Sequence, residues 1–189
     1  MVWLVKSLCK IIFGLLLRVE LVNKEYVPEK GSALVCSNHP GTWDMFLIGY
    51  KLKRLTRYMA KEELFKNPIL KFVLTRVGAF PVKRGKADVE SMKTAINLLK
   101  EGHIVAVFPE GTRTRDKRIS AGGGAALMAI RSGAPVVPVR IKGEYKLFGK
   151  IKVIFGEPFY IEGDKDAIYP SSYLKQKSNE IMDRVFALD

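Results

Sequence analysis

The most hydrophobic strand predicted in this chain is Ile104-Val105-Ala106-Val107-Phe108. It follows an amphipathic segment that Asp88 can cap as a helix and that Gly102 can end. A short apolar run without polar alternation is typical of a strand that is buried on both faces. Such strands belong to parallel sheets that carry helices on both sides.

The alternation of strand and helix continues on both sides of this stretch. The predicted strands are 32–36, 55–60, 77–82, 104–108, 135–141 and 152–155. The predicted helices are 44–53, 62–76 with a break near Pro68, 88–101, a short one after 122–124 that ends at 131, and 171–188. The sequence therefore predicts one α/β domain, residues 28–189, in which a mostly parallel central sheet is flanked by helices and binds ligands at its carboxyl edge.

The amino-terminal residues form an amphipathic segment. Wound as a helix, residues 2–19 place their polar side chains within an arc of roughly 120°, with the apolar ones opposite. The longest uncharged run, 11–17, is too short to span a bilayer, and no small-residue cleavage site of a signal peptide follows. We predict that residues 1–27 are a membrane-associating helical segment lying in the lipid interface. Packing of this helix on the domain's own core is the alternative.

Charge and cysteine content narrow the classes of partner. The net charge is +13, and residues 51–86 hold eleven Lys or Arg against two Glu, so +9 of the excess lies there. This predicts an anionic partner, although solvated helix faces would explain the same charges. No helix-turn-helix, zinc-finger or aromatic-basic RNA motif is present, so nucleic acid is not the expected partner. Two cysteines exclude a disulfide framework and no metal-ligand spacing occurs, so we expect a reducing setting and no metal.

A possible general base is encoded by Ser37-Asn38-His39-Pro40-Gly41-Thr42-Trp43-Asp44. A neutral imidazole can take a proton from a hydroxyl, while a carboxylate on its other ring nitrogen fixes the tautomer and stabilises the imidazolium. His39 follows a predicted strand and Asp44 begins a predicted helix. The alternative is that His39 is an ordinary polar residue at a strand end and Asp44 an acid favoured by the helix dipole. The other histidine, His103, has no acid at this spacing and is predicted to be structural.

Two other polar segments follow predicted strands. Val82-Lys83-Arg84-Gly85-Lys86 places three cations around a glycine, which lets the backbone approach a phosphate that an arginine binds through two hydrogen bonds. In Phe108-Pro109-Glu110-Gly111-Thr112-Arg113, a proline and a glycine flank Glu110, so Glu110 and Arg113 can orient each other and a polyol substrate. Exposed turns without a ligand use the same residue types.

The chain resembles the glycerolipid acyltransferase family, and within it the 1-acyl-sn-glycerol-3-phosphate (lysophosphatidic acid) acyltransferases. The resemblance rests on the order and spacing of four blocks between about 31 and 143: His39-x4-Asp44, residues 80–85, residues 108–113, and Val136-Val137-Pro138-Val139 with Gly143. Two positions depart from the family's pattern. Pro40 stands where a small polar residue is frequent, and Lys83 stands where many members have an acid, which bears on the identity of the acceptor.

The resemblance implies transfer of a fatty acyl group from an acyl thioester to the sn-2 hydroxyl of 1-acylglycerol-3-phosphate, which gives phosphatidic acid. It implies that His39 is the general base and that Asp44 orients it. Arg84 would bind the acceptor's phosphate with the help of Lys83. The remaining implied substrate-binding residues, with Pro138 as support from a neighbouring strand, are Glu110, Gly111, Thr112, Arg113 and Pro138.

The implied partners are lysophosphatidic acid, a membrane phospholipid surface, and a thioester of acyl carrier protein or coenzyme A, without a further cofactor. The expected location is the cell membrane, where the protein would be peripheral or monotopic on the cytoplasmic face. An acyltransferase acting on glycerol-3-phosphate or another lysophospholipid is the nearest alternative. An alternative of another class is a non-catalytic basic protein that binds membranes or nucleic acid.

Overall fold

The computed structural model describes residues 7, 11, 13–14, 17–83, 88–115 and 117–189. Seven strands form one sheet in the order β1-β7-β6-β2-β5-β3-β4. They are β1 (Arg18–Val22), β2 (Ala33–Ser37), β3 (Thr56–Lys61), β4 (Ala79–Val82), β5 (Ile104–Val107), β6 (Val136–Gly143) and β7 (Lys150–Phe155). Among these strands only β6 and β7 pair in antiparallel fashion. The predicted α/β class with a mostly parallel sheet is confirmed.

Helices cover both faces of the sheet. They are α1 (Asp44–Gly49), α2 (Pro68–Arg76), α3 (Val89–Lys100), α4 (Gly124–Ser132) and α5 (Ser171–Phe186), with short 3-10 helices at Lys24–Tyr26 and Glu62–Phe65. On one face α1 packs through Leu47 and Ile48. On the other face α3, α4 and α5 pack through Leu99, Met128 and Ile181. The central strands β2 and β5 are therefore buried on both sides, as their continuous apolar sequences predict.

Side chains at the helix starts explain two of the boundaries. Asn67 accepts hydrogen bonds from the Ile69 and Leu70 N–H groups, and Pro68 occupies the first turn of α2. Asp88 accepts from the Lys83 N–H at 2.7 Å and from Ser91 at the start of α3. Hydrogen bonds from the Lys83 N–H and from Ser91 lower the pKa of Asp88 to about 2. One carboxylate thus holds both ends of the segment that joins β4 to α3.

The helix predicted for residues 44–53 ends earlier, at Gly49. Arg54 explains the short helix, because its guanidinium donates to the carbonyl oxygens of Gly31 at 2.6 Å and Gly102 at 2.5 Å. These two glycines precede β2 and β5, so Arg54 must lie near the amino ends of those strands, and the helix ends before it. Sequence periodicity cannot reveal hydrogen bonds between residues this far apart in the chain.

The amino-terminal segment needs a correction at its carboxyl end. Residues 18–22, which fall within the predicted helical segment 1–27, form β1 and pair with β7. Their sequence alternates polar and apolar residues, and alternate apolar residues here lie against the core, as in a strand with one buried face. Of the first sixteen residues, the structure describes only Ser7, Ile11, Phe13 and Gly14, which are helical. Membrane association of the segment stays a prediction.

The topology brings several loops to one edge of the sheet. Because β2, β3, β4, β5 and β6 run parallel, the connections that follow them all emerge at their carboxyl ends. Two of the four sequence blocks, residues 39–44 and 108–113, follow β2 and β5 directly, the block at 80–85 begins within β4, and Val136–Val139 lie within β6. This carboxyl edge is therefore where candidate functional side chains can meet.

Candidate active site

His39 and Asp44 meet at the carboxyl edge. His39 Nδ1 lies 2.5 Å from Asp44 Oδ2, and both side chains are almost completely buried. The turn through Pro40 and Gly41 reverses the chain, so that the first residue of α1 faces back toward the end of β2. A hydrogen bond from Nδ1–H to the carboxylate leaves Nε2 as a proton acceptor. This is the geometry that a general base requires.

Three donors surround the Asp44 carboxylate. Besides His39, the Gly41 N–H donates to Oδ2 at 2.9 Å and the Tyr145 hydroxyl donates to Oδ1. Burial of Tyr145, together with the negative charge of Asp44, raises the pKa of the phenol, so Tyr145 remains a donor. Asp44 is thus fully buried yet well supplied with hydrogen bonds, which offset the cost of burying a polar group and fix its orientation.

Two glycines allow Tyr145 to reach Asp44. A Cβ added to Gly41 would overlap the Tyr145 ring, which lies directly over this position. Gly143, at the end of β6, has a φ of 115°, and a Cβ there would overlap the Lys150 carbonyl oxygen. Only glycine accommodates both the positive φ and this close approach. The turn after Gly143 then carries Tyr145 back over the His39–Asp44 loop.

Asn38 attaches the same loop to β6. Its side-chain amide donates to the Ile141 carbonyl at 2.9 Å and accepts from the Ile141 N–H at 2.8 Å. Asn38 is completely buried, and it continues the pairing of β2 with β6 beyond the last paired residues. The residue that precedes His39 is therefore held by two hydrogen bonds in the interior of the sheet.

The segment that follows β5 packs directly on His39. The Phe108 ring stacks on the imidazole, with 4.0 Å between ring centroids and 9° between planes. The Thr114 N–H donates to the His39 carbonyl at 3.0 Å. The sequence blocks at 37–44 and 108–113 are thus brought together, because the strands that precede them, β2 and β5, are parallel neighbours in the sheet.

Glu110 forms hydrogen bonds within its own loop. Its carboxylate accepts from the Ile119 N–H at 3.2 Å and from the Thr114 hydroxyl at 3.4 Å, and the side chain is buried. Arg113 is exposed, and the roles of Glu110 and Arg113 toward each other and toward a substrate stay predictions.

A cavity of about 290 Å³ opens beside His39. Apart from His39 itself, apolar side chains dominate its lining, with Phe108 and Val107 near the imidazole and three methionines deeper between the sheet and the helices α3 and α4. Those methionines are Met59, Met92 and Met128. Pro109, Gly111 and Val82 also line it. The site thus combines a buried base with adjacent space for an apolar group.

The other predicted site residues lie around this centre. Lys83 is exposed directly after Val82, and Arg84 lies outside the described residues. Thr112 is exposed next to Gly111. Pro138 is buried in β6 and in register with Cys36, so it lies behind the site and does not line the cavity. The substrate-binding roles of these residues stay predictions.

Cys36 and Ser37, which precede His39 closely in the sequence, are not arranged as nucleophiles. Burial raises the pKa of the Cys36 thiol, which keeps it protonated. The Ser37 hydroxyl is completely buried and donates to the Asn38 carbonyl at 3.0 Å. Within the described ranges, no group of three or more His, Cys, Asp or Glu side chains is arranged to hold a metal ion.

Comparison with known proteins shows the family to which the chain belongs. The sequence model of the Acyltransferase family matches residues 18–142, a range that contains both His39 and Asp44. The chain belongs to this family. It is therefore a member in which the His-x4-Asp pair is buried at the carboxyl edge of the sheet.

Individual members of the acyltransferase family resemble the chain over most of its length. It is 39% identical over 157 residues to the 1-acyl-sn-glycerol-3-phosphate acyltransferase of Bacillus subtilis, a match that covers 80% of this chain and 78% of that protein. It is 29% identical over 157 residues to a chloroplast 1-acyl-sn-glycerol-3-phosphate acyltransferase of Arabidopsis thaliana, covering 76% of this chain but 44% of that protein.

A solved acyltransferase structure has the same architecture. The crystal structure of the 1-acyl-sn-glycerophosphate (LPA) acyltransferase of Thermotoga maritima superposes with a TM-score of 0.74 at 27% sequence identity. The match covers 97% of this chain and 77% of that chain. The single α/β domain described above is thus shared with a protein of this enzyme class.

Sequence reasoning missed two residues of the site, Tyr145 and Asn38. Tyr145 lies 101 positions from Asp44, and no spacing rule connects them. The signal that was present is Gly143, because a glycine that ends a strand indicates a sharp change of direction. For Asn38, the signal was a polar residue directly after five buried strand residues, which requires hydrogen-bond partners inside the protein.

Replacing Tyr145 by phenylalanine is expected to lower kcat for acyl transfer about ten-fold and to leave KM nearly unchanged, because one hydrogen bond to the buried carboxylate is lost. Steady-state kinetics with each substrate varied in turn check both parameters. The control is Tyr160→Phe, an exposed tyrosine outside the site, and an unchanged kcat for Tyr145→Phe would show that the hydroxyl only fills space.

Proposed function

We propose that the protein transfers a fatty acyl group from an acyl thioester to the sn-2 hydroxyl of 1-acylglycerol-3-phosphate and so forms phosphatidic acid in phospholipid biosynthesis. The observation that carries the proposal is the buried His39–Asp44 pair beside an apolar cavity. The names of the Bacillus, Arabidopsis and Thermotoga relatives support this choice of substrate within the acyltransferase family.

His39 acts as the general base in a direct transfer. Its Nε2 removes the proton from the acceptor hydroxyl while the oxygen attacks the thioester carbonyl carbon. The carbon–sulfur bond then breaks, and the leaving thiolate takes the proton from the imidazolium. Asp44 stabilises that imidazolium, and Gly41 and Tyr145 hold Asp44 in place. No acyl-enzyme is formed, in keeping with the inert Cys36 and the hydrogen-bonded Ser37.

The apolar cavity receives the acyl chain of the donor. It begins at His39 and Phe108 and continues to Met59, Met92 and Met128, so a thioester carbonyl at its mouth lies next to the base. Methionine side chains are flexible and adapt to a linear hydrocarbon. Burial of the chain would contribute roughly 0.8 kcal/mol for each methylene group, which orients the thioester before the attack.

The acceptor's phosphate binds at the segment after β4. Lys83 follows Val82, a residue of the cavity lining, and Asp88 ties the Lys83 backbone to the start of α3. Arg84 supplies the second cation. Glu110 contributes by bracing the loop that carries Gly111, Thr112 and Arg113 along the other side of the site.

The protein acts at the cell membrane, where its acceptor and its product reside, as a peripheral or monotopic protein on the cytoplasmic face. The part of the predicted membrane-associating segment 1–27 that precedes β1 and the positive charge of residues 51–86 support this location. None of the helices within the described residues combines the length and the apolar character that crossing a bilayer requires.

A matrix of donors and acceptors tests the proposed function. Purified protein is assayed with acyl-coenzyme A and acyl–acyl-carrier-protein, each against 1-acylglycerol-3-phosphate, glycerol-3-phosphate and lysophosphatidylcholine. We expect transfer to 1-acylglycerol-3-phosphate with at least one donor; both carriers are acidic and suit the basic surface. Faster transfer to glycerol-3-phosphate would replace the proposed acceptor, and no transfer to any acceptor would refute the function.

Replacing Arg84 by alanine is expected to raise KM for 1-acylglycerol-3-phosphate about ten-fold or more, because a charged hydrogen-bonding partner of the phosphate is lost. The KM of the acyl donor should change little. Steady-state kinetics with each substrate varied in turn check this. The matched control is Arg76→Ala, at the end of α2, and a similar rise in KM for a phosphate-free acceptor would contradict the phosphate-binding role.

A further inference from the structure

The tip of the β6–β7 hairpin, residues 144–149, exposes two large apolar side chains. Leu147 and Phe148 are 64% and 61% exposed. Phe148 also has a φ of 59°, a left-handed conformation that is unfavourable for a bulky residue. Large apolar side chains exposed side by side in this way are typical of a surface that contacts a partner outside the chain.

The surroundings of the hairpin tip are positively charged. Lys146 lies within the tip and Lys150 follows it directly. Lys142 and Lys152 occupy the adjacent strand positions, paired with each other across β6 and β7, and Arg18 pairs with Lys150. Three carboxylates lie among these cations: Glu144 pairs with Lys146, Asp189 pairs with Lys142, and Glu20 is the sheet partner of Lys152. Five cations against three carboxylates leave a positive excess. Apolar side chains beside such an excess are complementary to an anionic lipid surface, whose acyl region accepts the apolar side chains and whose head groups attract the cations.

The hairpin tip lies at the same edge of the sheet as the active site. Tyr145, two residues before Leu147, donates to Asp44 and packs over Gly41. At the last residue of the tip, the Gly149 carbonyl accepts from the Arg18 N–H at 2.9 Å, where the amino-terminal segment joins the sheet. Trp43, next to Asp44, is 51% exposed and contacts Phe13 of that segment. Membrane contact at the tip would therefore place His39 close to the lipid surface.

We propose that Leu147 and Phe148 insert into the interface of an anionic bilayer and, together with the surrounding lysines, hold the carboxyl edge of the sheet against the membrane. The inference rests on the proposed function in so far as the acceptor is a membrane lipid. The hairpin tip then sets the distance between the lipid surface and the catalytic pair, because Tyr145 connects the tip to Asp44 without an intervening element.

The test compares two double variants. Leu147→Ser/Phe148→Ser removes the apolar tip, and Tyr160→Ser/Ile168→Ser removes two apolar residues beyond β7 that are at least as exposed. Binding to vesicles of equal parts phosphatidylglycerol and phosphatidylcholine is measured by co-sedimentation. We expect the dissociation constant to rise about ten-fold or more for the tip variant and less than about two-fold for the control.

Transfer assays separate this inference from the proposed function. With acceptor in vesicles, the tip variant should lose activity in proportion to its lost binding, whereas transfer to a water-soluble short-chain acceptor should stay within about two-fold of wild type. If the proposed function is wrong, neither acceptor reacts, but the vesicle measurement still decides the role of the tip. Equal binding of both variants would overturn the inference.

A second measurement guards against indirect effects on folding or assembly. Phe148→Trp adds a fluorophore at the tip, and brominated lipids should quench its emission beyond the quenching seen in wild type, which contains Trp3 and Trp43. Absence of additional quenching would overturn the insertion. Loss of self-association by the tip variant in the absence of vesicles would also overturn it, since the tip would then be an interface between two copies.

Discussion

Replacing His39 by alanine is expected to lower kcat for acyl transfer by about 10³- to 10⁴-fold, because the base that a buried carboxylate positions at the carboxyl edge is lost. KM for either substrate should change little, since the imidazole acts on the proton and does not hold the phosphate or the acyl chain. Initial rates with purified protein, normalised to the folded fraction, measure the loss.

His103 provides the matched control for this substitution. It lies directly before β5, at the opposite edge of the sheet, where it pairs with the exposed Glu101. His103→Ala should keep nearly full activity. Because His39 stacks on Phe108, a second variant, His39→Gln, keeps most of the packing and tests the chemistry separately. Retention of more than about one tenth of wild-type activity by both His39 variants, with the fold intact, would contradict the base assignment.

Replacing Asn38 by alanine is expected to lower the free energy of unfolding by about 2 to 4 kcal/mol. The substitution removes both hydrogen bonds to Ile141 and leaves its N–H and carbonyl groups buried without these partners. Activity should fall as well, because the residue that anchors the loop before His39 is gone. Urea denaturation followed by circular dichroism measures the stability.

Asn97 is the control for this substitution, because it is an exposed residue of α3. Asn97→Ala should change the free energy of unfolding by less than about 0.5 kcal/mol. A loss of stability below about 1 kcal/mol for Asn38→Ala would mean that water or a shifted backbone replaces the amide, and that the link between β2 and β6 is weaker than its geometry implies.

The sequence allowed most of the sheet to be predicted because the central strands are local, continuous apolar runs. The strand at 104–108 and the helix capped by Asp88 were placed within a residue or two of their observed bounds. β1 was not recognised as a strand, because Val19 satisfies both a helical and a strand pattern at the end of an apolar segment. Only its pairing with β7, more than 130 residues away in the chain, distinguishes the two.

Some contacts of the candidate site could also be predicted from the sequence, and others could not. The proximity of His39 and Asp44 follows from a short turn and could be predicted from spacing alone. The stacking of Phe108 on His39 follows from adjacent parallel strands, which the order of the blocks made plausible. The hydroxyl of Tyr145 could not be predicted, since its position depends on the path of a hairpin tip that returns over the site.

Buried polar groups explain why these missed residues matter. Asp44 is completely buried, and an isolated carboxylate in such a place would be strongly destabilising. Its hydrogen bonds come from two separate segments: His39 and Gly41 belong to its own turn, and Tyr145 belongs to the β6–β7 hairpin. The catalytic pair is therefore positioned by tertiary structure as well as by its own turn.

The most direct test of the account measures thiol release from the acyl donor in the presence and absence of 1-acylglycerol-3-phosphate, with the mass of the protein recorded in parallel. Direct attack by a hydroxyl that His39 deprotonates predicts thiol release only when the acceptor is present, an unchanged protein mass, and no release by His39→Ala. A burst of thiol without acceptor, together with a protein whose mass has increased by one acyl group, would contradict it.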